Sequence, residues 1–153
     1  MIGIISDTHG VVRPEAVEAL AGSDLIIHAG DIGGETVLRA LEAIAPVVAV
    51  RGNNDTGDWA EKIPITKSVT VGRTVLYAIH NVKELAVDPV AERIRVVISG
   101  HSHKPGIREQ DGVLFINPGS AGPRRFTLPV SVARIEIRGD EVIARLIELK
   151  TSG

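Results

Sequence analysis

Apolar residues along this chain fall in short runs, and most runs end on a glycine or on a side chain that can hydrogen-bond. The opening "MIGIIS" is apolar without alternation and predicts a strand buried on both faces. "RPEAVEALAG" predicts a helix, with Pro14 in its first turn and Gly22 at its end. "DLIIHAG" is a second short strand. In "GGETVLRALEAIA", Val37, Leu38, Leu41, Ile44 and Ala45 recur at helical spacing, and Glu35 sits where a helix dipole favours an acid. "PVVAVRG" completes a β-α-β-α-β order, which predicts parallel strands joined by crossover helices.

The second half changes character. "SVTVGRTVLYAIH" predicts a hairpin turning at Gly72, and "DPVAERI" a short helix with Asp88 as its cap and Pro89 at its first position. "VVISG" and "GVLFINPG" are short strands, and "VARIEIRGDEVIARLIEL" is a long hairpin turning at Gly139-Asp140. The Arg138-Gly139-Asp140 triplet reads as that turn rather than as an adhesion motif. No repeat, low-complexity tract or linker divides the chain, so residues 1–153 are expected to form one α/β domain with a mixed sheet.

Composition narrows the function classes. The 153 residues carry a formal net charge of -2, so no bulk field attracts nucleic acid, and no nucleic-acid surface is expected. There are no cysteines, which excludes disulfides, thiolate metal sites and thiol nucleophiles. Asp7 interrupts the first apolar run, no signal peptide is evident, and no stretch nears the roughly 18 apolar residues of a membrane span. The expectation is a cytoplasmic protein that acts off the membrane.

The candidate chemistry lies at the ends of the predicted strands. His9, His80, His101 and His103 sit at or just past the ends of apolar runs, as do Asp7, Asp31 and Asn53. In open α/β sheets the ligand crevice lies beyond the carboxyl ends of the strands. Seven such side chains offer only nitrogen and oxygen donors, the set a divalent metal takes when no thiolate is present.

The ordered blocks "DTH", "GD", "RGNND", the lone His80 and "GHSH" resemble the signature of the calcineurin-like metallophosphoesterases. "NPGSAGPRR" and the short length resemble the small YfcE-like phosphodiesterase branch, and the motifs run from Asp7 to Ser120. The resemblance implies a four-layer α/β/β/α sandwich of two mixed β-sheets. It implies two divalent ions about 3.5–4 Å apart, one held by Asp7, His9 and His103, the other by Asn53, His80 and His101, with Asp31 bridging. Asp31, Asn53 and His103 would stand at the reacting centre, where a hydroxide between the ions attacks phosphorus in line. Two carboxylates against two dications leave a positive site, the local attraction for an anionic phosphodiester or nucleotide-like substrate that the net charge does not supply. Family likeness favours manganese, while the mixed donors also suit iron, nickel, cobalt or zinc. The alternatives are a phosphomonoesterase, or a protein-binding scaffold such as the retromer subunit built on this fold.

The sequence departs from that pattern at Asn54, where many relatives carry the histidine that protonates the leaving group. An amide has no such proton, and a general acid is worth about 10²–10⁴-fold in rate. Asn54, Gly33, Ser120 and Arg124 are the expected substrate contacts, with at most one of Arg124 and Arg125 acting as a phosphate clamp. His28 is read as a core or supporting histidine, and Trp59 as the anchor of the polar stretch "NNDTGDWAEKIP". Apolar residues on both faces of "EVIARLIEL" suggest a contact surface, as in a homo-oligomer, or a strand buried on both sides.

Overall fold

The structure, a computed structural model, describes residues 1–125 and 127–150. Two five-stranded sheets are stacked. The first has the order β10-β9-β1-β2-β3, using β1 (Ile2–Ile5), β2 (Leu25–His28), β3 (Val47–Ala49), β9 (Ser131–Arg138) and β10 (Glu141–Glu148). The second has the order β4-β5-β6-β8-β7, using β4 (Thr66–Val71), β5 (Thr74–Ile79), β6 (Val96–Ile98), β7 (Gly106–Gln110) and β8 (Val113–Asn117). Both are mixed. The β1-β2-β3 and β5-β6-β8 ladders are parallel, while β9, β10, β4 and β7 run antiparallel to their neighbours.

Burial explains the layers. Ile2, Ile4 and Ile27 of the first sheet meet Leu76, Val96, Ile98 and Ile116 of the second in a core between the sheets. Alternate residues of the same strands, Ile5 and Ile26, face outward and are covered by Ala16 and Leu20 of α1 (Pro14–Leu20) and Val37 and Leu41 of α2 (Glu35–Glu42). Because β1 has apolar partners on both faces, an unbroken apolar run is what its position requires. Trp59, in α3 (Asp58–Glu61), packs against this outer core and anchors its loop.

One local expectation needs correction, and one strand was not expected. "DPVAERI" forms hydrogen-bonded turns rather than a helix. Asp88 does cap it, accepting from the Val90 N–H at 3.1 Å, but Arg93 adopts φ 59° and Ile94 N–H closes back on the Pro89 carbonyl. With a single 3₁₀ turn at Val82–Glu84, these turns cover Val97 and Val113 on the outer face of the second sheet. Strand β7 went unread because "GIREQ" is largely exposed and has no apolar face to announce it.

The final hairpin turns at Gly139-Asp140, with Arg138 opposite Glu141. Its blurred pattern has an intramolecular cause: Val142, Ala144 and Leu146 pack on the core between the sheets, and Ile147 on the outer core. Among the described residues, no helix is long and apolar enough to cross a membrane.

Candidate metal centre

The parallel strands of both sheets deliver their carboxyl ends to one edge of the sandwich. β1 leads into Asp7 and His9, β2 into Asp31, β3 into Asn53, β5 into His80, and β6 into His101 and His103. Asp7 Oδ1 lies 3.4 Å from His103 Nε2 and 3.9 Å from His80 Nε2. Asp31 Oδ2 lies 3.3 Å from His80 Nε2 and 3.8 Å from His9 Nε2. Two groups result, Asp7-His9-His103 and Asp7-Asp31-His80, each with ligand atoms within 4.8 Å of one another. His101 Nδ1 sits 3.3 Å from His80 Nε2, and Asn53 lines the same cleft as these two histidines.

The backbone is strained to achieve this. Among the described residues, non-glycine side chains with positive φ occur at Asp7, His9, Asp31, His101 and His103, and otherwise only at Arg93 and Asp111. Such conformations cost of order 1–3 kcal/mol each and persist where the surroundings enforce them for function. Glycines make room beside them. A methyl on Gly30 would lie 2.6 Å from His80 Nδ1, and one on Gly100 2.6 Å from Asp7 Oδ2. A methyl on Gly52 would strike the Asp31 side chain.

Hydrogen bonds aim the ligand atoms. His80 Nδ1 donates to the Ala29 carbonyl at 2.7 Å, which fixes the ring with Nε2 turned toward Asp7 and Asp31. Asp7 Oδ2 accepts from Ser6 Oγ at 2.8 Å and from the His101 N–H at 3.1 Å, while Oδ1 is buried with no hydrogen-bond partner. His9 Nε2 and His103 Nδ1 are likewise buried without one. A buried carboxylate oxygen and imidazole nitrogen left unpaired beside each other are costly in a finished core. A bound cation removes that cost, so the residues present fit a metal.

Electrostatics agree. Burial would raise the pKa of Asp31, but hydrogen bonds from His80 and from the backbone and side chain of Asn54 outweigh it and hold the carboxyl below the usual range. Burial dominates at Asp7 and raises its pKa despite Ser6 and the neighbouring histidines. His80 is pushed up because its bonds to Asp31 and Ala29 outweigh burial. His103 is pushed down by burial, then by the charges of Arg125 and His9, against the pull of Asp7.

Several expected contacts take other roles. Asn54 donates its backbone N–H and Nδ2 to the two Asp31 oxygens, each at 3.0 Å, and so orients that carboxylate. The Gly33 N–H is already given to Asp55 Oδ1 at 3.0 Å and is not free for an anion. Ser120 is buried; its hydroxyl donates to the Asp7 carbonyl at 3.0 Å and accepts from Gly122, bracing the strained Asp7 backbone rather than meeting substrate. Arg124 lines a separate cleft with Glu148 and Lys150, whereas it is Arg125 whose charge reaches His103. Asn117 ties the Gly100-to-His103 loop together, donating to the Gly100 carbonyl and Ser102 Oγ.

The main residue missed from sequence is Asp55. It accepts from the N–H groups of Ile32, Gly33 and Gly52 and clamps the loops that carry Asp31 and Asn53. Its place at the end of "RGNND" was the available signal.

The model of the calcineurin-like phosphoesterase superfamily domain matches residues 1–140. The chain belongs to this superfamily. A relative described as a probable metallophosphoesterase of Methanothermobacter thermautotrophicus is 37% identical over 158 residues, which span 96% of this chain and 91% of the relative. The crystal structure of Chaetomium thermophilum Vps29 superposes with a TM-score of 0.78 at 20% identity, covering 98% of both chains, and shares the fold. An archaeal phosphodiesterase superposes with a TM-score of 0.72 at 25% identity, covering 95% of this chain and 99% of its own. The two mixed sheets with flanking helices are thus the architecture of the metallophosphoesterases, and metal binding and hydrolase chemistry come with the family.

Proposed function

We propose that this metallophosphoesterase is a phosphodiesterase working with two divalent ions, manganese first among them, held by Asp7, His9 and His103 on one side and Asn53, His80 and His101 on the other, with Asp31 between. The observation that carries the proposal is the buried, partnerless Asp7 Oδ1 and His9 Nε2 next to Asp31, which reaches toward both His9 and His80. Bound cations supply Lewis acidity and lower the pKa of the attacking water.

The chain's own residues do the rest. Asn54 and His80 keep Asp31 ionised and oriented. Ser6 and the His101 N–H fix one Asp7 oxygen so that the other faces the histidines. Arg125 adds positive charge on the His103 side, where a phosphate oxygen gains from it. With Asn54 bound to Asp31 and carrying no labile proton, no side chain at that position protonates the departing oxygen. That favours diesters with good leaving groups over monoesters.

The test is manganese reconstitution and a panel of mono- and diesters, run beside Asp31→Ala. Diester hydrolysis lost in Asp31→Ala supports the proposal. Activity equal to wild type in that variant overturns it. A manganese-loaded protein that hydrolyses no ester also overturns it, in favour of a protein-binding role.

A further inference from the structure

Beside His80 and His101 opens a cleft of ≈ 560 Å³ whose far wall has no part in metal binding as described above: Arg51, Ile65, Asn81 and Glu84. Three features of that wall bear on what it can bind. Ile65 is 58% exposed, more than any other large apolar side chain among the described residues, and it stands at the lip of a polar site. Arg51 is half-buried, and among the described residues its guanidinium makes neither an ion pair nor a hydrogen bond. It shares this with the half-buried Arg134, whereas Arg39, Arg73, Arg95 and Arg138 each lie within 4 Å of a carboxylate. The Arg51 backbone is fixed, its N–H donating to the Pro64 carbonyl at 2.8 Å, so Arg51 and Ile65 are held as neighbours on one rim. Glu84, exposed in the 3₁₀ turn after β5, faces the same space with a carboxylate that can only accept.

A guanidinium held out of full solvent without an anion fits an anionic ligand, and its planar fork matches a phosphate. An exposed branched apolar residue next to it fits a flat apolar surface, and a carboxylate in the same cleft fits hydroxyl or amine donors. Resting on the phosphodiesterase reading above, we propose that this wall is the subsite for the organic substituent of the diester and that it selects a nucleoside. Arg51 binds a non-bridging phosphate oxygen, Ile65 supports the base, and Glu84 accepts from a sugar hydroxyl. Among the described residues, Arg51 and Glu84 line one cleft without forming an ion pair.

The experiment uses the full-length manganese-loaded protein and two substrates with the same leaving group, thymidine para-nitrophenyl phosphate and methyl para-nitrophenyl phosphate. Calorimetric titration with thymidine monophosphate gives a second readout that needs no turnover. The wild type is expected to prefer the thymidine ester in kcat/KM. Glu84→Gln and Ile65→Ser are expected to lower the thymidine-to-methyl ratio about tenfold, the size of a hydrogen bond to a charged group or a buried apolar contact. Arg51→Met is expected to weaken thymidine monophosphate about 10- to 100-fold without altering manganese affinity. Arg73→Met, a charge-matched change on the exposed β4–β5 hairpin, is expected to leave both readouts alone.

An unchanged ratio in Glu84→Gln and Ile65→Ser overturns the subsite, as does a loss of manganese affinity in Arg51→Met. If neither ester is hydrolysed, the phosphodiesterase reading fails separately. Thymidine monophosphate affinity that still falls in the Glu84, Ile65 and Arg51 variants then upholds the subsite, and unchanged affinity overturns it.

Discussion

His28 ties the acid stability of this fold to one proton. The ring is fully buried beneath the metal edge. Its Nδ1 accepts the Gly30 N–H at 3.1 Å, so in the neutral ring Nε2 carries the hydrogen and donates it to Thr8 Oγ1 at 3.0 Å. The Thr8 hydroxyl passes its own hydrogen to the Ile32 carbonyl at 2.7 Å. A second proton on Nδ1 would oppose the Gly30 N–H. Burial, then the charge of His80, lowers the His28 pKa from 6.5 to about 3, with Asp31 pulling the other way and His9 adding to the fall.

The unfolded chain takes up this proton below about pH 6.5 and the folded chain only near about pH 3. The stability from this group is therefore fully present above the higher value and is lost as pH falls toward the lower one. Each pH unit in that window removes about 1.4 kcal/mol, so going from pH 7 to 5 removes about 2 kcal/mol. In His28→Asn the amide oxygen can still accept from Gly30, the bond to Thr8 is lost, and nothing titrates. At neutral pH the variant should be less stable by about 1–3 kcal/mol, measured by urea unfolding with chelator present. The gap between wild type and variant should then shrink by about 2 kcal/mol at pH 5. Carboxylate titrations are common to both proteins and cancel in this difference. A gap that stays constant from pH 7 to 5 would refute the reasoning.

Other consequences follow from the same geometry. Asp55→Asn weakens bonds to three backbone N–H groups and should cost about 2–4 kcal/mol by denaturant melt; a change within error would remove Asp55 as the clamp. Gly100→Ala pushes against Ser6 and Asp7 and should lower manganese affinity about 10- to 100-fold in a calorimetric titration, while a wild-type isotherm would show the loop to be yielding. With Asn54 in place of a general acid, aryl diesters should outrun alkyl diesters by at least about 10²-fold in kcat/KM. A flat dependence on leaving-group acidity would mean that another group donates the proton.

The sequence carried the parallel strands and the site because both write themselves in unambiguous residue types. Apolar runs of β1, β2 and β6 are buried on both faces and need no partner to be recognised. The residues after them are the donors. Gly30, Gly52 and Gly100 each precede a donor, and the close approaches at these glycines explain why the blocks read "GD", "GN" and "GH". What stayed illegible depends on long-range geometry. Strand β7 is a strand only because β8 lies beside it. Asp88 caps the segment as it would a helix, but Arg93 turns the chain into the left-handed region and only hydrogen-bonded turns form. Ser120 and Gly33 have the chemistry of substrate contacts, but their hydrogen bonds go to Asp7 and Asp55, which are far away in sequence. Arg124 and Arg125 differ only in the direction the loop gives them.

The central claim, that side chains from both sheets gather two cations around Asp31, is tested most directly by electron paramagnetic resonance on the protein titrated with manganese. Two ions per chain and a spin-coupled signal, collapsing to an uncoupled ion in Asp31→Ala, are the predicted result. A single uncoupled ion in the wild type, or a coupled pair that survives Asp31→Ala, would contradict it.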